Sequence, residues 1–347
     1  MKRTIIVVVS LLVLAGVGRL SLKLPALQNL ALDVIGQGFV QQAARPLPES
    51  QSLRIFVCGS ASPLGATDQA QACIAVLTPE HFYVIDSGAG STRNISGAGL
   101  PTRRMQGILL THFHSDHIAE LYEVNLGSWV QGRPAPLTVF GPEGVSEVVD
   151  AVNAGYRLDR IYRSEHHGEA LLPPALGVLQ HQTIAPGKIL EDRGLTVTAY
   201  VAGHPPIDPA IGYRIDYQGR SVVISGDSNV TADTRKIVEG ADLLLHDALS
   251  VPVVKGLSDA AGDAGLSRLS KIMSDVLDYH ASAASLVELG QEVDIGMVAF
   301  YHLVPSPINV LVEEIFQRDF PDHYLLAEDG MWFELPVGSD EINVTRP

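Results

Sequence analysis

The stretch ILLTHFHSDHIAE, residues 108–120, begins as an apolar strand and ends as a helix. Its middle places His112, His114, Asp116 and His117 within six residues. The chain has only 12 histidines in 347 residues, so three in one turn is more than a solvated loop accounts for. His112 and His114 stand two apart where strand geometry is ending, so their rings can converge on one point. Asp116 is placed to cap the following helix, and His117 to start it. Neutral imidazole and carboxylate are the donors that suit zinc and related divalent ions.

The rest of the chain supplies matching donors at the ends of apolar runs. His204 closes LTVTAYVAGH, Asp227 closes SVVISGDS after Gly226 allows a tight turn, and His302 closes IGMVAFYH. Any one of them alone would be an ordinary polar residue at a strand end. With residues 112–117 they make seven protein ligands, enough for two metal ions sharing one carboxylate.

The surrounding pattern fits a scaffold that aims such residues. RIFVCGS, QACIAVLTP, HFYVIDSGAG, MQGILLTH and PLTVFGP read as strands, and HIAELYEVNLGSWV reads as a helix. A helical insert is expected over about 145–175. GYRIDYQGRSVVISGDS reads as a hairpin about Gln218-Gly219, and ADLLLHDA and IGMVAFYH as later buried strands. Strands in runs with helices between them predict an α/β fold of two sheets covered by helices, over residues 53–347.

Composition limits the partners. Hydrophobic residues make up 46% and charged residues 18%, which is globular rather than disordered. The net charge of −15, with no basic run in the body of the chain, makes nucleic acid an unexpected partner. A small anionic substrate is compatible with it, because a local metal pair reverses the field inside one cleft. Met1-Lys2-Arg3 precedes the uncharged apolar run Thr4–Gly18, so residues 1–23 read as an export signal or N-terminal membrane anchor, with residues 24–52 as a linker. The expected location is therefore exported, periplasmic or anchored, with membrane contact through that segment. Cys58 and Cys73 lie at neighbouring ends of adjacent strands; a disulfide and two buried thiols are both compatible with this.

THFHSDH, followed by His204, the SGDS carrying Asp227 and the late His302, resembles the metallo-β-lactamase superfamily. The resemblance implies the αββα four-layer sandwich. It implies one zinc on His112, His114 and His204, a second on Asp116, His117 and His302, and Asp227 as the bridge. The second metal is open to manganese or iron. The order of His204, GYRI, SGDS, LLLHDA and HAS (His280–Ser282) is similar to the ribonuclease Z-like group, and His280 matches that group's histidine for proton transfer. Leu303-Val304-Pro305 after the last ligand and the lack of a basic Gly/Pro-rich arm depart from ribonuclease Z itself. WVQGRPAPLTVFGPEG, NAGYRLDRIYRSEHHGEALLPP and YHLVP look like the arylsulfatase branch of the group.

The activity implied is hydrolysis of small sulfate or phosphate esters, by attack of a metal-bridging hydroxide. Asp116 would orient the attacking group and His280 would protonate or hydrogen-bond the leaving oxygen. Asp86 and His246 are expected to orient ligand imidazoles or the loop carrying them, against the plainer reading of strand-end hydrogen bonding. Asn153, Tyr156, Arg163, His166 and His167 are read as a substrate-binding lid, against the plainer reading of a surface helix. A ribonuclease Z-type tRNA 3′-processing phosphodiesterase, a lactone hydrolase and a silent scaffold are the alternatives. A second copy of the chain, as a homodimer, completes the expected partners.

Overall fold

The computed structural model describes residue 19 and residues 22–43, 50–65 and 68–347. Of the expected export segment, only Arg19, Leu22 and Lys23 fall within the described residues. No helix among the described residues is long and apolar enough to cross a membrane, so the expected membrane contact has no structural support. The chain divides into two units, residues Met1–Pro46 with Gly99–Pro101, and Leu47–Ala98 with Thr102–Pro347. In the first unit, the segment read as a linker holds a helix over Pro25–Ala43. Pro25 stands at its first position, where a missing N–H leaves no bond unmade.

The second unit is built on two sheets. The first takes β1 (Ser52–Gly59), β2 (Cys73–Leu77), β3 (Phe82–Ile85), β4 (Gly107–Leu109), β5 (Thr138–Gly141) and β6 (Gln180–Thr183). The second takes β7 (Gly187–Asp192), β8 (Leu195–Ala202), β9 (Ala210–Tyr217), β10 (Arg220–Ile224), β11 (Ala241–Leu249), β12 (Ile295–Val304) and β13 (Tyr324–Leu326). The chain then returns to the first sheet with β14 (Trp332–Pro336), beside β1, and β15 (Asn343–Thr345). This is the expected α/β sandwich, with helices on the outer faces.

Apolar side chains of both sheets meet in one core, where Ile55, Val57, Ile74 and Leu109 face Tyr213, Ile215, Val222 and Leu245. β3 to β6 are parallel in the first sheet, and β10 to β13 in the second. Strands such as RSVVI in β10 are buried on both faces, which is why they read as continuous apolar runs. The carboxyl ends of parallel strands are where an open α/β sheet places its ligands. At that edge, Tyr213 Oη donates to the Leu110 carbonyl at 2.6 Å and Ile211 N–H to the Thr111 carbonyl at 2.9 Å, tying the two sheets together.

β6 and β7 were not legible as strands. Every residue of β6 is exposed and β7 has no residue fully buried, so neither carries an alternating pattern. The insert forms two helices, Val145–Gly155 and Arg157–His167, and a short turn of helix over Pro174–Gly177.

Cys58 and Cys73 form a disulfide between β1 and β2. It closes a loop containing Ser62–Leu64, a segment that also forms a wall of the candidate site. Cys58→Ala with Cys73→Ala is expected to lower the unfolding free energy by about 3 kcal/mol, the loop-closure value for a ring of this size. The check is the shift of the urea midpoint; an unchanged midpoint would mean the constraint adds nothing to the fold.

Candidate metal centre

The local chain path explains how the donors converge. After β4 the backbone turns through Thr111 and enters a short helix, Ser115–Ile118, whose N-cap is His114. Asp116 and His117 lie inside the first turn rather than at its cap and start, and both are buried. Gly226, with φ +62, sits between β10 and Asp227; a Cβ there would lie 2.8 Å from Thr111 Cβ. His302 does not close its strand as expected. It is the extra residue of a bulge, since Asp247 pairs with Tyr301 and Ala248 with Leu303. Its φ of 44 turns the imidazole toward the cluster, the usual effect of a bulge on side-chain direction.

The seven expected ligands come together in two groups, His112, His114, His204 and Asp227 in one, and Asp116, His117 and His302 in the other. In the first, His112 Nε2 lies 3.0 Å from His114 Nδ1, and His204 Nε2 lies 3.4 Å from it. Asp227 Oδ2 stands 3.8 Å from both His112 Nε2 and His204 Nε2. In the second, His117 Nε2 lies 3.4 Å from Asp116 Oδ2, and His302 Nε2 lies 3.0 Å from the same oxygen. Asp227 Oδ1 is 3.3 Å from His117 Nε2 and 3.4 Å from His302 Nδ1. One carboxylate therefore offers one oxygen to each group.

Donor atoms on a tetrahedral zinc with bonds of about 2.0–2.1 Å stand about 3.3 Å apart, which is the spacing seen here. His117 Nε2, His302 Nδ1 and Asp227 Oδ1 are buried without a hydrogen-bond partner among the described residues. Buried polar atoms left unpaired are costly, so three of them converging is the arrangement a cation completes. The residues fit a metal pair.

The other ring nitrogens are held. Asp86 accepts from Thr111 N–H at 2.8 Å, from Thr111 Oγ1 at 2.8 Å and from His117 Nδ1 at 2.8 Å. Thr111 Oγ1 in turn lies 3.0 Å from His112 Nδ1. His204 Nδ1 donates to the Tyr279 carbonyl at 2.9 Å. These contacts leave Nε2 of His112, His117 and His204 for the cluster. His246 Nδ1 reaches Asp247, at 2.8 Å to the carbonyl and 2.9 Å to Oδ1, and no ligand imidazole. The neighbouring Asp247 has the part that sequence reading missed. Its Oδ2 accepts from His280 Nδ1 at 2.8 Å and its Oδ1 from Ser228 N–H at 3.1 Å.

Burial pulls His112, His114 and His204 below the ordinary imidazole value, which favours the neutral, ligating form. Burial acts the same way on His117, but the Asp227 and Asp86 carboxylates outweigh it and hold this imidazole well above the ordinary value. For His302, burial is likewise outweighed by Asp227 and Asp116. Burial would raise Asp227 and Asp116, yet Asp227 is held well down by the charges of His302 and His117, and Asp116 is held down by the same two neighbouring rings. Without a metal, the neighbouring carboxylates thus favour the charged forms of His117 and His302.

His114, Asp116, Asp227, His280 and His302 line a pocket of about 260 Å³. Its walls are Ser62–Leu64 on one side, and Ile272, Val276 and Tyr279 on the other. The helical insert does not line it. Asn153 is engaged with the Leu179 backbone through both amide atoms, at 2.9 and 3.0 Å. Tyr156 stacks on Tyr122 with ring centroids 3.7 Å apart, and Arg163 pairs with Asp159 at 2.8 Å. His166 and His167 are exposed at a helix end. The insert is a surface element, and the wall assigned to it comes from residues 272–279.

Comparison with known proteins agrees with this geometry. Residues 83–302 match the family model described as a beta-lactamase superfamily domain. Ribonuclease Z of Mycobacterium bovis (strain BCG / Pasteur 1173P2) is 31% identical over 257 residues, spanning 73% of this chain and 87% of that protein. Ribonuclease Z of Mycobacterium avium (strain 104) is 28% identical over 283 residues, 80% of this chain and 96% of that one. Among solved structures, the metallo-beta-lactamase fold protein YhfI from Bacillus subtilis superposes with a TM-score of 0.60 at 16% identity, covering 82% of this chain and all of that one. Human tRNase Z, short form, gives 0.56 at 20% identity, over 82% of this chain and 99% of that one. The fold and the donor set define a metal-dependent hydrolase. The chain belongs to the metallo-β-lactamase superfamily, within its ribonuclease Z-like group. These relatives carry the ribonuclease Z name and lend no support to the arylsulfatase branch.

Two outcomes are expected. Asp227→Ala should lose most bound metal, read by elemental analysis, whereas full occupancy with normal activity would remove Asp227 as the bridge. The second concerns pH. The raised values of His117 and His302 favour the metal-free fold below the ordinary imidazole value, and this contribution is lost as pH rises through the raised values. The lowered Asp116 and Asp227 contribute above the ordinary carboxylate value and lose it as pH falls toward their own. A cation must displace the two imidazole protons, so zinc affinity should weaken as pH falls and binding should release protons. Calorimetry in buffers of different ionisation enthalpy measures this; zinc uptake without proton release would contradict it.

Proposed function

We propose that this chain is a phosphodiesterase of the ribonuclease Z type, with two divalent ions, zinc in the first instance, held by His112, His114 and His204, by Asp116, His117 and His302, and by Asp227 between them. The observation that carries the reading is the buried Asp247–His280 pair, 2.8 Å apart, beside Asp227 and His302 at the pocket. The names of the ribonuclease Z relatives support it.

Bound ions would supply a water of lowered pKa and draw charge from the attacked ester. The protein does the rest. Asp116, at the pocket floor, accepts a hydrogen bond from the attacking water and fixes its direction. His280 has Nδ1 committed to Asp247, which leaves Nε2 as the proton donor to the departing oxygen. Asp247, itself held by Ser228 N–H, fixes the ring's orientation and stabilises the imidazolium, whose Nε2 proton passes to the leaving oxygen as its bond to phosphorus breaks. Leu64, Ile272, Val276 and Val304 keep the pocket walls apolar, which strengthens each polar contact inside.

Net charge, the lack of a basic run and the lack of a basic Gly/Pro-rich arm argued against nucleic acid, and the ribonuclease Z relatives overrule that exclusion as a starting assumption. RNA therefore belongs among the substrates tested. An aryl sulfate, and a lactone attacked at its acyl carbon, are the competing substrates, since the same cluster and donor serve there.

The test compares bis-p-nitrophenyl phosphate, a precursor tRNA, p-nitrophenyl sulfate and an aryl lactone on the zinc-loaded protein. Preference for either phosphodiester is expected; preference for the sulfate or the lactone would overturn the reading. His280→Ala should keep both metals and lose roughly 10²–10⁴ in turnover, most for poor leaving groups. An equal loss for good and poor leaving groups would remove His280 as the acid.

A further inference from the structure

We infer that an apolar groove beside the metal pocket binds a hydrocarbon arm of the substrate, so that the esters turned over best are amphipathic phosphodiesters. This rests on the phosphodiesterase reading for its reacting bond and on separate residues for its arm.

The groove has a volume of about 480 Å³, within the range of small-molecule sites, which run from roughly 300 to 1,000 Å³. Three pairs spaced four apart in sequence build it: Val253 and Leu257, Leu269 and Met273, and Ile308 and Val312. The first two pairs each present one face of a helix, Val251–Asp263 and Ser267–Asp275. Pro63 and Leu64 line both this groove and the metal pocket, so the two cavities adjoin at one wall. Helix Ser267–Asp275 joins them a second time, with Ile272 facing the metal pocket and Met273 the groove.

The rim is apolar where solvent would favour charge. Leu257 and Leu269 are each 45% exposed, and Ile308 is 67% exposed. Clustered exposure of this kind marks a binding surface rather than ordinary scatter. No Lys or Arg lines either cavity among the described residues. A polynucleotide arm needs cations along its path, and a hydrocarbon arm needs none. A substrate held by the metals at one end and by this groove at the other meets both linings.

The experiment measures kcat/KM on zinc-loaded, full-length protein for p-nitrophenyl alkyl phosphodiesters, from methyl to octyl. Each added methylene is expected to raise kcat/KM by about two- to fourfold, through KM, until the groove is filled. In Leu257→Asp and in Leu269→Asp the octyl-to-methyl ratio should fall at least about tenfold. Circular dichroism and zinc content confirm that each variant is folded, and either one that folds carries the test. A flat series in the wild type, or an unchanged ratio in the folded variants, overturns the proposal. So does a ratio lost in Leu30→Asp or Val34→Asp, which would assign the arm to the N-terminal helix. Displacement of an environment-sensitive apolar dye by octyl phosphate reads the groove without turnover. Displacement in the wild type and not in the variants, with no phosphodiester cleaved, would sink the phosphodiesterase reading and leave the groove standing. No displacement in the wild type overturns the groove itself.

Discussion

The Asp227 carboxylate is the constraint on which the site depends. It is 3% exposed and sits between two sets of imidazoles, with one oxygen toward each. An isolated buried carboxylate costs several kcal/mol, so the fold must bring partner groups to both of its oxygens. It does so with side chains from separate segments of the chain, and the accuracy of that convergence comes from the sheets. β4, β10 and β12 all deliver their residues at the carboxyl edge of parallel strands, and the Tyr213–Leu110 and Ile211–Thr111 hydrogen bonds lock that edge across the two sheets.

Two of the five non-glycine residues at positive φ among the described residues lie at the same place. Asp86 and His302 are both non-glycine residues at positive φ, of 57 and 44. Such conformations cost of order 1–3 kcal/mol each and persist where the surroundings over-determine them. Asp86 is over-determined by three donors, and the His302 bulge by the pairing of β11 on either side of it. Each strained residue aims a group that an ordinary strand would point elsewhere. Strain and metal-ligand geometry therefore have one cause.

All seven candidate ligands were legible in the sequence because each is a polar residue interrupting or ending an apolar run, a local signal. The disposition of the sheets followed from the same runs. Asp247 was not found, although it adjoins His246 in LLLHDA. Adjacent strand residues point to opposite faces, and nothing in the one-dimensional pattern says which of the two faces the pocket. The Tyr279 carbonyl that holds His204 was invisible for a simpler reason, since a backbone acceptor has no residue-type signature. The pocket wall was misplaced onto residues 153–167 because that helix is rich in aromatics, His and Arg. Those side chains satisfy one another instead, Tyr156 on Tyr122 and Arg163 on Asp159. Which helix closes over a site depends on packing between distant segments, and that is recorded in no single stretch of sequence.

A dinuclear cluster on these donors would be poor at choosing among esters. Its donors fix where a nucleophile and an anionic centre sit, and phosphorus, sulfur and acyl carbon all satisfy that requirement. Discrimination must come from groups that touch the rest of the substrate. Under the proposed reading those groups are His280, as donor to the leaving oxygen, and the walls of the pocket and groove. Among the described residues, the walls carry Leu64, Ile272, Val276 and Met273, and no Lys or Arg. A site whose positive charge lies at the cluster holds one anionic group firmly and gains nothing from a second one further along the chain. The apolar walls of pocket and groove complement hydrocarbon, so we infer that a substrate is selected by the hydrocarbon it carries beyond the reacting ester.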